Sequence, residues 1–372
     1  MTEATGATRE LIAAAIFLAT YFVFAVGSVP GFRIDRTGAA IIGAGLVVVT
    51  GVLPMPQAVA AVDASTIVLL FGMMIVAAYL DLSGFFALVT AWAISRARSA
   101  LGLLVAVVAA AGVLSAFFVN DIVCLVLTPL VVQIVVGLGL NPVPYLIALA
   151  TASNLGSVAT ITGNPQNMIV GSLSGISYGA FLSALAPVAV VGLALDAAVI
   201  AWVYRRELRQ PLAAAPAAGR LKVHRPLMTK SLIVTGGMLL AFFAGYPVPL
   251  AAIGAAAALL ITRRVRPTRV YGEIDFGLLV LFTGLFIVIG AVEATGLADE
   301  AFRLARHLSL DHPLVLSAVT VALSNLVSNV PAVLLFKSVI PTFPAPREAW
   351  LLLAMASTLA GNLTIVGSVA NL

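Results

Sequence analysis

The sequence predicts an all-α polytopic membrane protein assembled from two inverted repeats, and three observations carry that expectation. The 372 residues are 62% apolar and 9% charged, with a mean hydropathy of +1.13, whereas a soluble domain runs near about 45–50% apolar and about 25% charged. Polar blocks recur at a nearly constant offset along the chain. The basic residues gather in two stretches that the span count places on one side of a membrane. Composition also narrows the chemistry. One cysteine, Cys124, excludes a disulfide framework and a thiolate metal site. His224, His307 and His312 are scattered through predicted loops, so no histidine metal centre is expected. The net charge of +5 is expected in cytoplasmic loops rather than at a nucleic-acid surface.

About 20 apolar residues cross a bilayer as a helix. In chain order the candidate spans are 11–29, 38–53, 64–82, an apolar block 99–173, 180–204, 231–246, 249–262, 276–296, a second block 312–340, and 349–371. The first follows Arg9 and leads straight into further spans, so it reads as a retained helix and not a signal peptide. Arg205, Arg206, Arg209, Arg220, Lys222, Arg225 and Lys230 fill a linker at 205–230, and Arg263, Arg264, Arg266 and Arg269 follow two spans later. By the positive-inside rule that shared side is cytoplasmic. Segments 84–98 and 297–307 are expected to be interfacial amphipathic helices.

A shift of 212 residues carries Asp63, Gly72, Asp81 and Gly84 onto Asp275, Gly284, Glu293 and Gly296. A shift of 204 lays 149–167 on 353–371 without a gap, with 9 of 19 positions identical, and Asn120 matches Asn329 at a shift of 209. Loop 54–63 has no Lys or Arg while its partner 263–275 has four Arg, so the copies face opposite sides. The expected domains are a first repeat, 1–204, the basic linker, 205–230, and a second repeat, 231–372. The second repeat has no counterpart of 173–204, which leads us to expect a sequence truncated by about one helix. Inverted repeats are the build of many secondary transporters, with the site near the midplane where broken helices meet.

Residues 99–204 hold no Lys or Arg and two carboxylates, Asp121 and Asp196. A charge at the bilayer centre costs at least about 2.5 kcal/mol, so Asp121 needs a reason. It lies in AFFVNDIVCLVLTP between apolar arms that are either two full spans or one re-entrant hairpin. The hairpin is favoured because SNVPAV (328–333) holds the matching place beside an arm too short to cross. A helix starting at such a tip offers an anion site without Lys or Arg. The expected substrate contacts are Asn120, Asp121, Ser328 and Asn329 at the tips, with Thr162, Gly163 and Asn164 and, in the second copy, Thr364, Gly367 and Ser368. Pro165 breaks the helix after Asn164 and frees carbonyls for a cation. Asp121, Ser153, Asn154, Gly156, Asn167, Ser357, Thr358, Asn362 and Asn371 are the expected Na⁺ or H⁺ ligands. The plainer alternatives are small-residue helix packing and, for Asp121, a helix cap. Asp81 and Glu293 are expected at the interface, and Lys337 is expected to snorkel rather than pair. Asp196 has no account from sequence.

VNDIVCLVLTPLVV, SNLGSVATITGNPQNMI, SNVPAVLL and AGNLTIVGSVANL, in that order, resemble the ion transporter superfamily. It holds citrate transporter-like permeases, arsenite–antimonite efflux permeases, NhaD-type sodium/proton antiporters and divalent-anion/sodium symporters. The resemblance implies a scaffold, mainly 11–53 and 231–262, a transport domain, mainly 64–173 and 276–372, an elevator mechanism and a homodimer. Carboxylate-binding tips of the dicarboxylate branch read Ser-Asn-Thr; here they read Val119-Asn120-Asp121 and Ser328-Asn329-Val330. Asn carries over at both, and the Asn-Asp tip is more similar to the arsenite branch. The function expected is secondary active transport of a small anion or oxyanion across the cytoplasmic (inner) membrane. Na⁺ or H⁺ is the coupling ion, with no cofactor and no nucleic acid. A Na⁺/H⁺ antiporter of the same fold, with Asp121 carrying the proton, is the alternative. No nucleophile–base pair stands out, so an enzyme is not expected.

Overall fold

The computed structural model describes residues 6–27, 34–209, 223–297, 300 and 309–364. Arg220, Lys222 and nearly all of the expected 297–307 helix lie outside the described residues. The described chain is helical throughout its regular elements: α1 (Gly6–Val26), α2 (Arg36–Val49), α3 (Met55–Ala61), α4 (Ala64–Ser83), α5 (Phe85–Ser95), α6 (Ala100–Phe117), α7 (Asn120–Gly137), α8 (Val143–Ser157) and α9 (Pro165–Ser174). There follow α10 (Tyr178–Val203), α11 (Arg225–Phe243), α12 (Val248–Leu260), α13 (Pro267–Gly272), α14 (Phe276–Ala294), α15 (Pro313–Val327), α16 (Asn329–Leu335) and α17 (Pro346–Ala360). Seven of these, α1, α4, α6, α7, α10, α11 and α14, are long and apolar enough to cross a membrane.

Residues matched by the repeat set the same boundaries twice. Asp63 accepts from the Ser65 and Thr66 N–H groups at the start of α4, and Asp275 accepts from the Leu278 N–H at the start of α14. The same helices are closed by Gly84 at φ +81° and Gly296 at φ +76°, a conformation that glycine adopts without a Cβ clash.

Contacts divide the chain into two compact units. Among the described residues, one is built on those up to Ile67 and on those within 275–364; the other is built on those within Val68–Gly171 and Gly175–Ile274. Each draws helices from both sequence repeats. In the first, α14 lies on α2 so closely that a Cβ on Gly284 would stand 2.7 Å from the Ala40 carbonyl oxygen. Ala13, Ile16, Val47, Val52, Leu53, Ala58 and Ala291 form an apolar core beside this crossing. The Tyr21 hydroxyl donates to the Pro331 carbonyl at 3.1 Å, tying α1 to α16.

In the second unit a Cβ on Gly72 would stand 2.8 Å from the Ala252 carbonyl carbon. Gly72 and Ala252 are the 212-residue counterparts of Gly284 and Ala40 in the reverse order of chain, so the two units repeat one contact reciprocally. Helices α6 and α8 cross with the Gly112 and Gly156 backbones in direct contact, and Leu155 on α8 meets Gly192 on α10.

Three expectations change. Helix α5 forms within 84–98 but is not amphipathic: it exposes Leu88 and Trp92. Loop 54–63 contains a helix, α3. Lys337 does not snorkel alone; its ammonium pairs with the Glu293 carboxylate at 3.0 Å, because α16 is so short that Lys337 stays beside the end of α14.

Candidate functional site

In the second unit the candidate site grows from a run of nineteen buried residues, 152–170, holding Ser153, Asn154, Ser157, Thr160, Thr162, Asn164, Gln166 and Asn167. Helix α8 ends at Ser157 and α9 starts at Pro165, so the run is an interrupted helix, as Pro165 predicts. Asn164 occupies the cap position and accepts from the Asn167 N–H at 2.8 Å. Its amide donates to the Ser157 hydroxyl at 3.0 Å, while the Asn167 amide donates to the carbonyls of Ser157 and Thr160 at 3.0 and 2.9 Å. Side-chain amides thus satisfy the carbonyls that the break leaves over, as a buried backbone requires. Gly163 is demanded by space: a Cβ there would strike the Ser157 main chain.

The first tip is the turn Phe118–Val119 between α6 and α7, each 18 residues long. The Asn120 N–H donates to the Gly163 carbonyl at 2.9 Å, so tip and break meet. The Asn120 amide donates to Asn154 Oδ1 at 3.0 Å, and the Ser153 hydroxyl reaches the Asn120 carbonyl at 3.1 Å and the Ser115 hydroxyl at 2.8 Å. Thr160 donates to the Ala116 carbonyl, and Thr162 shares a hydrogen bond with the Tyr178 hydroxyl at 2.9 Å. Phe86 stacks edge-on against Phe118 and backs the turn with apolar surface. Asp121 is half-buried in the first turn of α7; Val119 takes the cap position, so Asp121 is not the cap.

One atom in this network has no partner. Asn120 Oδ1 is buried and accepts nothing, on a residue 4% exposed. A buried amide oxygen left open costs about 1–3 kcal/mol; a hydroxyl donor or a hard cation would satisfy it.

In the first unit the second tip is a single residue, Ser328, between α15 and α16. Asn329 follows it, and its Oδ1 is likewise buried without a partner, as are the Ser324 and Thr320 hydroxyls one and two turns back along α15. Ser357 on α17 turns to its own helix, reaching the Ala354 carbonyl at 3.2 Å. Thr358 is buried, Asn362 is half-buried in the turn after α17, and Thr364 donates to Asn325 Oδ1 at 2.9 Å. Gly367, Ser368 and Asn371 lie outside the described residues.

Within the second unit the structure brings together Asn120, Ser153, Asn154, Thr162, Gly163, Asn164 and Asn167. Gly156 belongs to the α6–α8 crossing. Sequence reasoning missed Ser115, Ser157, Thr160 and Tyr178. Ser115 was findable, since it maps onto Ser324 at the shift that matches Asn120 to Asn329. Tyr178 had no signal.

The chain is similar to known transporters along most of its length. A silicon efflux transporter of Oryza sativa subsp. japonica is 30% identical, covering 99% of this chain and 90% of its own. A transporter of Mycobacterium tuberculosis is 28% identical over 97% of this chain and 89% of its own. A Dictyostelium discoideum transporter named arsB is 23% identical over 91% and 81%. The crystal structure of the Alcanivorax borkumensis YdaH transporter shares the fold, with a TM-score of 0.54 at 17% identity, over 94% of this chain and 87% of that one. The profile of the citrate transporter family runs through residues 19–360, taking in both tips and the interrupted helix between them. With apolar spans, paired motifs and transporter relatives in agreement, this multi-pass membrane chain belongs to the citrate transporter family.

Proposed function

We propose that the chain is a secondary active transporter of a small anion or oxyanion in the cytoplasmic (inner) membrane, driven by Na⁺ or H⁺. The observation that carries this reading is the open, buried Oδ1 of Asn120, held in place because the rest of its amide is bonded to Asn154. An open acceptor favours a ligand that brings donors, such as an oxyacid that keeps its hydroxyl groups, or a Na⁺ ion travelling with an anion. Relatives named for silicon efflux and arsB support the oxyacid class. Asn329 Oδ1 is proposed as a second ligand-facing atom on its own tip. In this proposal the tips are re-entrant, the sequence repeats are inverted and the mechanism is of the elevator type in a homodimer. Asp121 is the proposed coupling residue, with Na⁺ or H⁺ as its ion.

The test is a thermal-shift screen of the purified protein with citrate, arsenite, silicic acid, phosphate and sulfate, with and without Na⁺. Uptake of the stabilising compound into proteoliposomes follows. Asn120→Ala and Asn329→Ala are expected to lose uptake while expressing and folding. Both variants transporting at the wild-type rate would make these residues packing groups and end the proposal. Asp121→Asn, run across a pH series and a Na⁺ series, reads the coupling ion: loss of pH dependence marks H⁺, and weakened Na⁺ dependence marks Na⁺.

A further inference from the structure

Asp196 lies in α10, a 26-residue helix apolar enough to span a membrane, and the transport site does not use it. Its side chain meets the Thr151 hydroxyl on α8. The register is set one turn away, where Gly192 packs on Leu155, so Asp196 and Thr151 face each other across antiparallel helices. The other carboxyl oxygen, Oδ2, is buried and has no partner.

The hydroxyl of Thr151 has one hydrogen to give, and the Ile147 carbonyl one turn back along α8 stands 2.7 Å from its oxygen, the usual acceptor for a threonine within a helix. With the hydrogen given to that carbonyl, what Thr151 offers Asp196 is an acceptor oxygen. An ionised carboxylate is an acceptor only, and two acceptors do not bond. The contact is complete when the carboxyl carries a proton and donates it to Thr151. The surroundings agree with a neutral group. Of the helices packed on α10, α6 has no titratable residue, and α8 has Tyr145, whose hydroxyl donates to the Ala100 carbonyl at 3.1 Å. On α11, Arg225 is exposed and the Lys230 ammonium is bonded to the carbonyls of Leu259 and Ile261. No cation among them is directed at Asp196, and an unpaired charge inside a bilayer is costly.

We propose that Asp196 is a proton-binding site of this chain, separate from Asp121, with Thr151 as the acceptor that holds the protonated form. Thr151 precedes Ser153 and Asn154 by two and three residues on α8, so a change of proton at Asp196 acts on the helix that holds Asn120. That consequence for coupling rests on the transporter reading; the proton site does not.

The test needs no substrate. Infrared spectra of the full chain in lipid nanodiscs, taken across a pH series, read the C=O stretch of protonated carboxyl groups. The expected result is a band that persists above about pH 6, where an aspartate of ordinary value near 3.9 has lost its proton. It should vanish in Asp196→Asn, move to higher frequency in Thr151→Val as the acceptor is lost, return in Thr151→Ser, and survive Asp121→Asn. No band above that pH, or a band that remains in Asp196→Asn, overturns the proposal, as does a frequency indifferent to Thr151→Val. If this site holds while the uptake screen finds no transported anion, the transporter reading fails and the proton site stands.

Discussion

At the first tip Ser115 bonds Ser153 at 2.8 Å and the Asn120 amide bonds Asn154 at 3.0 Å. At the second, the matched Ser324 and Asn329 keep buried oxygens with no partner. The cause lies in two substitutions between the copies. Thr358 stands where the first copy has Asn154, so no side-chain amide waits for Asn329. Asn325 stands where the first copy has Ala116, and its side chain ties α15 to the Ala360 carbonyl and to Thr364. The turns differ as well. The first tip uses Phe118 and Val119 in ordinary extended angles; the second reverses on Ser328 alone, at φ 82° and ψ 159°. That region is almost confined to glycine and costs another residue about 1–3 kcal/mol, a kind of strain that clusters at ligand clamps and switches. One copy is therefore a satisfied frame with a single open acceptor, and the other is a strained turn beside several.

The difference can be broken most severely at the helix crossing. Gly156→Ala pushes a Cβ into the Gly112 backbone, and overpacking of this kind costs about 1–3 kcal/mol or more. Its counterpart in the second copy is already Ala360, so Ala360→Gly should cost no more than about 1 kcal/mol. Thermal unfolding in detergent, followed by labelling of buried Cys124, measures both. An unchanged midpoint for Gly156→Ala would contradict the close crossing.

Ser328→Gly comes next and has the opposite sign: it should stabilise by about 1–3 kcal/mol through release of the strained turn. Glycine at Val119, whose φ of −55° needs no relief, should instead destabilise by roughly 0.5–1 kcal/mol. A lower midpoint for Ser328→Gly would mean that the serine hydroxyl, not the backbone, decides that turn.

Exchange of the amide partner sharpens the comparison further. Asn154→Thr should cost about 1–3 kcal/mol because the Asn120 amide is left buried and unpaired. Thr358→Asn should raise the midpoint by supplying the missing partner to Asn329. A fall in both variants would show that the amide at 358 does not reach the tip.

The smallest effect belongs to the serine pair. Ser115→Ala should cost about 1 kcal/mol for its bond to Ser153, while Ser324→Ala should be close to neutral, since no bond is removed. Equal losses at both positions would reveal a bound water or ion on Ser324.

Much of this contrast was written in residues that act locally. Asp63 and Asp275 announce helix starts, Gly84 and Gly296 announce ends, and Asn164-Pro165 announces the break, because caps and breakers work through their own backbone. The amide-rich run 162–167 also marked itself, since packing alone does not call for two Asn and a Gln. The Ser115–Ser153 bond, the Tyr178 contact with Thr162 and the Asp196 contact with Thr151 join residues from separate helices, and their register is a tertiary fact. Lys337 illustrates the same point: apolar surroundings suggested a lone snorkelling amine, and only the short α16 puts it within reach of Glu293. The strain at Ser328 was silent because the residue expected for that backbone is glycine.

The reciprocal contact of Gly72 with Ala252 and of Gly284 with Ala40 has a consequence for biosynthesis. Helix α4 is made about 180 residues before the α12 surface that receives it, and at roughly 5–20 residues per second the wait is roughly 10–40 s. During that interval α4 shows the small-residue notch at Gly72 to lipid or to the insertion machinery, and α2 waits longer still for α14. Neither half is self-sufficient on the ribosome. A chain severed in the basic linker should mature only when both fragments are made in the same cell, each supplying the helix that the other lacks.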